Sequence, residues 1–487
     1  MLVMALDVGS SSTRAQCFDD RARPLPEASA RVTYDATTTA DGGVELDPEA
    51  LLEAVARAVD GCVERCGPRA PDIRAVGLSA FWHSLLALDA GGAPLTPVFT
   101  WADTRSAAAA AELRRRLDAR AVHERTGAPL HATFFPARLG WLRQARPAVF
   151  ARAATWCGFG EYLTRRLTGR LQVSISMASG TGLMDQTTGG WDRELLAACD
   201  IGPERLPPIG DEPAAALAAP FTARWPALAR ARWHPAWGDG ACSNLGSDCA
   251  GPDRLALNVG TSSALRMVAR EGFGPAATPE GLWRYRVDAA RTLVGGATSE
   301  GGNVVAWCRR VLSLPAEPLL ERALAALPPD AHGLTVLPFL AGERSPGWRG
   351  DARAALAGVS LDTSAVGILR AFMEAVAGRL ALVYERLAPL AAPGHTIVAS
   401  GGALAHSPAW RTILADSLGV PLALSGEPEA SSRGAALLAL EALGAPLPPP
   451  LPAAATLAPD PGRHAVYRAA RERQRALYDN IVGPRLS

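Results

Sequence analysis

A nine-residue segment in the middle of the chain repeats its opening. Leu255-Ala256-Leu257-Asn258-Val259-Gly260-Thr261-Ser262-Ser263 carries identical or similar residue types to Met4-Ala5-Leu6-Asp7-Val8-Gly9-Ser10-Ser11-Ser12 at nearly every position. Each copy alternates like a strand and runs into a small, polar turn, and after the first copy a second extended run, 13–18, completes a β-hairpin. An offset of 251 residues is far longer than a solenoid repeat. It points instead to two similar domains presenting the same hairpin tip to a shared cleft, with coincidence between two Gly/Ser-rich turns as the alternative. Length agrees, since 487 residues exceed what one compact core supports.

The domain boundary is expected near 250–254, giving domains over 1–249 and 250–446. A Pro-rich stretch, Leu447-Pro448-Pro449-Pro450-Leu451-Pro452, then leads into a final helix over 463–477, so 447–487 reads as linker plus helix. A helix is predicted over Pro48–Cys66, with Asp47 as cap and Pro48 at the first helical position, and another over 106–117. A strand near 73–78 lies between them, and this mixture predicts α/β layers.

Small residues at a strand turn let backbone N–H groups close on an anion, and two facing tips of this kind can clamp a triphosphate. Asp7 cannot touch phosphate directly, because like charges repel; its place makes sense if Mg²⁺ or its water shell lies between. The matching residue in the second copy is Asn258, so only one tip carries a metal-facing carboxylate. A plain hairpin turn accounts for the first tip equally well. A third glycine turn, Ser400-Gly401-Gly402-Ala403, follows a strand and precedes a helix capped by Ser407 with Pro408 at its first position. It suits either a nucleotide or close helix–strand packing.

One compositional fact narrows the chemistry. The chain contains no lysine, so all 49 basic residues are arginine. A Walker-A loop, a protein-kinase phosphate lysine and a Schiff base each need that amine, and all three are excluded. With 48 acidic residues the net charge is only +1, which gives no electrostatic case for nucleic acid or an anionic membrane. The eight cysteines are scattered without a zinc or disulfide spacing, so buried free thiols are expected. No apolar run reaches a membrane span, and no basic leader precedes the first strand, so a cytoplasmic protein is expected.

Two carboxylates stand out for acid–base work. Asp239 lies between glycines in Trp237-Gly238-Asp239-Gly240-Ala241, where it is either a turn former or a general base. Asp103, in Thr100-Trp101-Ala102-Asp103-Thr104-Arg105, suits sugar recognition beside Trp101 and Arg105, or else a buried Asp–Arg pair. Trp82 and His83 follow a predicted strand at its carboxyl end, where open α/β sheets bind ligands. His131 is a weaker candidate, and Glu343-Arg344 forms a charged pair after the apolar run 336–340.

Taken together and in order, these segments resemble the FGGY family of carbohydrate kinases from Leu6 to about Leu443. The stretch from Asp7 to Arg14 is similar to that family's first phosphate motif, 257–263 to its second and Ser400-Gly401-Gly402-Ala403 to its adenosine motif; Asp239 falls at its catalytic base. Ala178-Ser179-Gly180-Thr181-Gly182-Leu183 and Trp191 also match, as do Gly358, Ala371 and Glu374 of the second family signature, from which Gly367 departs. In the first signature Arg138 stands where a lysine is expected, and Pro136 is displaced by one.

The resemblance implies two ribonuclease-H-like, actin-like ATPase domains around a cleft, with sugar mostly on the first and nucleotide mostly on the second. It also implies ATP and Mg²⁺, with Asp7 ordering the metal and Ser11, Thr13, Arg14, Gly260, Thr261, Gly302, Gly402 and Ala403 along the nucleotide. Within the family the chain is most similar to gluconate kinases, through 79–84, 100–105, 129–131, 238–247 and 342–348, although Trp82 replaces the usual methionine. That implies phosphorylation of a terminal primary hydroxyl, D-gluconate to 6-phosphogluconate, with Arg105, His83, His131 or Arg344 meeting the substrate carboxylate. The rivals are a xylulose or other ketose or polyol kinase, and a non-catalytic sensor on the same fold. The expected partner is a small sugar or sugar acid, not nucleic acid or membrane, and a homodimer is compatible with the chain.

Overall fold

The computed structural model describes residues 1–274 and 277–483. Two mixed sheets organise the chain. In the first, Leu2–Val8 pairs antiparallel with Ser12–Asp19 and parallel with Ile73–Ala80. In the second, Arg254–Val259 pairs antiparallel with Ser263–Arg270 and parallel with Thr396–Ser400. The repeated sequence therefore marks the same place in both sheets: a central strand, its hairpin partner, and a parallel neighbour from further along. Both central strands read as near-continuous apolar runs because layers cover both sheet faces. The repeat breaks at one point. Val8 pairs with Thr13, whereas Val259 pairs with Ser263, so the first tip is one residue longer.

The predicted helix over Pro48–Cys66 is present; the Asp47 carboxylate accepts from the Ala50 N–H at 2.8 Å, and Pro48 opens the first turn. The second predicted helix covers Ala107–Arg116. After the Pro-rich stretch, Ala455–Leu457 joins the second sheet beside Leu422–Leu424. The final helix runs over Pro461–Ile481, longer than expected, and buries Tyr467, Gln474 and Tyr478. All eight cysteines are buried and free. Among the described residues no helix is long and apolar enough to cross a membrane.

Helix Ala430–Ala442 lies in the chain between two strands of the second sheet, yet its buried face joins the core of the first. Contact is backbone to backbone. A Cβ on Gly77 would lie 2.4 Å from the Ala435 carbonyl oxygen, one on Gly434 1.8 Å from that of Cys242, and one on Gly246 1.8 Å from that of Ala430. The last two glycines let helix Asp239–Gly246 lie directly on helix Ala430–Ala442, a fit no side chain permits. Gly434→Ala is therefore expected to cost at least about 2 kcal/mol in chemical denaturation, whereas Gly272→Ala, with open space around it, stays within roughly 0.5 kcal/mol of wild type.

Candidate active site

Asp239 owes its position to a strand and a ring. Trp237–Gly238 pairs parallel with the end of Ile73–Ala80, and helix Asp239–Gly246 begins at the next residue. The glycines on either side are required by Trp82. A Cβ on Gly238 would lie 1.8 Å from its indole Cε2, and one on Gly240 2.6 Å from Cζ3. The indole Nε1–H donates to the Ser176 carbonyl at 3.1 Å, which holds the ring across the start of the helix. Burial raises the Asp239 carboxyl above its ordinary value, against the opposing pull of Arg266 and Arg344. Its Oδ1 accepts from the Gly240 N–H at 2.8 Å, and Arg266 Nη1 donates to the Gly240 carbonyl at 3.0 Å from the second sheet.

Asp239 opens into a cavity of about 340 Å³. Ser11 of the first tip, Trp82, His83, Trp101, Arg266 and Arg344 share its wall with Trp283 and Tyr285 of strand Trp283–Arg286. Trp283 and Tyr285 stack at 4.2 Å and 8°, and Trp82 meets Tyr285 edge-on at 5.1 Å. Such faces suit the C–H surface of a carbohydrate. His83 has a left-handed backbone, φ 63°. Its Nδ1–H donates to the Gly180 carbonyl at 2.8 Å, which leaves Nε2 as an acceptor, 3.5 Å from the Tyr285 hydroxyl. Burial holds this imidazole well below its ordinary value, so it is neutral at pH 7.

Four candidates do not line this cavity. Asp103 and Arg105 form a partly buried cluster with Glu45, and the Arg105 guanidinium lies 4.6 Å over Trp141. His131 packs edge-on against Trp348 at 5.2 Å, and burial pushes it down to about 3. Glu343 turns away from Arg344; it pairs with Arg379 and accepts from the Tyr478 hydroxyl at 2.7 Å. Arg344 is left beside Trp101, with its Nε buried and, among the described residues, without a hydrogen-bond partner. Among the described residues neither Arg266 nor Arg344 has a carboxylate within ion-pair distance.

A second cavity, about 930 Å³, is lined by Gly260 and Thr261 of the second tip, Gly302 and Asn303 at the start of helix Gly302–Val311, and Gly402 and Ala403. Small residues are needed here: a Cβ on Gly302 would lie 2.9 Å from the Gly260 carbonyl oxygen, to which the Gly302 N–H donates at 2.6 Å. A third cavity, about 530 Å³, holds Asp7, Asn258, Ser400 and Gly402. Asn258 also lines the first cavity and Gly402 the second, so the third cavity shares a lining residue with each of the others. Asp7 accepts from the Ser79 hydroxyl at 2.7 Å, and burial, helped by the nearby Asp239 charge, pushes its carboxyl up to about 6. Thr13 is fully buried in its strand, and Arg14 pairs with Glu429.

Residues 2–225 match the N-terminal domain, and 255–443 the C-terminal domain, of the FGGY family of carbohydrate kinases. The chain belongs to this family. It is thus a phosphotransferase with an alcohol acceptor, built on the two-domain, ribonuclease-H-like FGGY fold. It is 27% identical over 463 residues to a gluconokinase of Bacillus licheniformis, covering 91% of this chain and 88% of that one. A glycerol kinase of Alkalilimnicola ehrlichii is 32% identical over 460 residues, covering 91% and 90%. Among solved structures, a gluconate kinase from Lactobacillus acidophilus superposes with TM-score 0.91 at 27% identity, and a xylulose kinase from the same organism with 0.90 at 27%; each comparison covers 99% of both chains.

Sequence reasoning missed Arg266, Trp283, Tyr285 and Asn303. The aromatic alternation Trp283-Arg284-Tyr285-Arg286 was a readable strand signal; a lone arginine in the strand after the second tip carries none.

The raised value at Asp7 has a thermodynamic consequence. Its stabilising, protonated form is fully available below the unfolded value of 3.8, and that stability is lost as pH climbs through about 6. Asp7→Asn is therefore expected to unfold at higher denaturant than wild type at pH 8, by up to about 3 kcal/mol, with the difference closing by pH 4.

Proposed function

We propose that this chain is a MgATP-dependent gluconate kinase, transferring the γ-phosphoryl group to the terminal primary hydroxyl of D-gluconate. The observation that carries the reading is Arg344: among the described residues a cation without a carboxylate partner, in the same aromatic cavity as Asp239. An anionic substrate supplies what that guanidinium lacks. Likeness to gluconate kinases in sequence and structure agrees. Asp239 accepts the hydroxyl proton as that oxygen forms its bond to the γ-phosphorus and the bond to the β-bridging oxygen breaks, releasing ADP. A carboxyl raised by burial is a better base near neutral pH than a solvated one. Neutral His83 accepts a substrate hydroxyl through Nε2, and the aromatic walls exclude water from the transfer.

Gly260, Thr261, Gly302, Gly402 and Ala403 lie along the nucleotide, with Ser11 at the γ-phosphate end. The Asp7 carboxylate, the Asn258 amide oxygen and nearby hydroxyls are hard oxygen donors of the kind Mg²⁺ takes, and they would hold it in the 530 Å³ cavity. Bound there, the ion neutralises phosphate charge. A reducing cytoplasmic setting suits eight free, buried thiols.

A ketose kinase is the second reading, favoured by the likeness to a xylulose kinase. Coupled ADP release from a panel of acidic and neutral polyols separates the two, and silence with every polyol would instead indicate a nucleotide-binding sensor. Asp239→Ala is expected to lose at least ~10²-fold in turnover while ATP affinity holds; turnover near wild type removes this residue from the chemistry. Arg344→Leu is expected to raise KM for gluconate at least about tenfold, with a smaller change for neutral polyols.

A further inference from the structure

Arg138 lies on helix Phe135–Ala145, only 2% exposed, and no carboxylate pairs with it among the described residues. Carbonyl oxygens meet its charge instead. Nη1 donates to His83 O and to Phe99 O (3.3 Å), Nη2 to Thr100 O (2.5 Å), and Nε to Ala132 O (3.3 Å). Burial lowers it only to about 10, so it stays cationic at neutral pH. The four oxygens belong to three separate segments of chain. Two of those segments carry walls of the sugar cavity: His83 itself, and Trp101 directly after Thr100.

His83 makes the clamp informative. A non-glycine residue in the left-handed region is held there by its surroundings. Its carbonyl is fixed by Arg138 and its ring by Gly180 O, so peptide and imidazole are each pinned by a separate hydrogen bond. A planar guanidinium, with donors on several edges, can bridge divergent carbonyls; an ammonium, whose donors radiate from one atom, cannot reach them all.

We propose that Arg138 is a positioning residue for the sugar site, fixing His83 and Trp101 relative to each other through their backbones without touching substrate, an inference that rests on reading the Asp239 cavity as that site. Arg138→Met and Arg138→Lys, assayed by coupled ADP release with gluconate and ATP each varied in turn, test it. The Met variant is expected to raise KM for the sugar acid at least roughly tenfold while KM for ATP stays within about twofold, and the Lys variant to recover part of that loss. If Met at this buried place prevents folding, Lys decides alone: a rise of about threefold in sugar KM, with the thermal midpoint near wild type, supports positioning. Unchanged sugar KM in a folded variant, or equal rises for sugar and ATP, overturns it. Wild-type enzyme inactive on every polyol would sink the sugar-kinase reading and this inference together, whereas active wild type with indifferent variants sinks the positioning role alone.

Discussion

The contact on which the site most depends is between two stretches of main chain. Helix Asp239–Gly246 rests on helix Ala430–Ala442 through Gly246 and Gly434, close enough that any Cβ would enter a carbonyl oxygen. Close packing of this kind transmits position faithfully, because backbone has no rotamers with which to absorb a shift. The first residue of the upper helix is Asp239, and the lower helix is itself pressed onto the first sheet at Gly77. A carboxylate is thereby fixed relative to the sheet that carries Asp7, by a segment almost two hundred residues further along the chain.

Electrostatics follows from that enclosure. Asp7 and Asp239 are both lifted by loss of water, and the Asp239 charge raises Asp7 further. Arg266 and Arg344, drawn down by the same burial, oppose the rise at Asp239 from the second half. Asp239, Arg266 and Arg344 share the aromatic cavity, where their fields are less screened than in bulk solvent. Charge in this cleft is balanced only in part by the chain itself.

The fold was legible because its central strands are written twice, and repeated apolar strands ending in small turns leave few alternative architectures. Asp239 was legible as a choice between turn and base; Trp82 lying over both flanking glycines explains the turn chemistry. Sequence misjudged reach. Asp103 and Arg105 satisfy each other and Glu45, a partnership set by a residue some sixty positions away, and His131 packs against Trp348, a residue from the second half of the chain. Arg266, Trp283 and Tyr285 enter the cavity from the opposite half. Such cross-chain meetings depend on tertiary packing, which local pattern does not encode.

The two tips are near copies, yet Asp7 faces Asn258. With matching carboxylates the centre of the molecule would be electrically even-handed and would repel polyphosphate from both directions. Replacing one anion by an amide removes that evenness. At the tips negative charge is left on the first half alone, so a duplicated scaffold becomes electrically one-sided where its halves meet, from the loss of a single carboxylate.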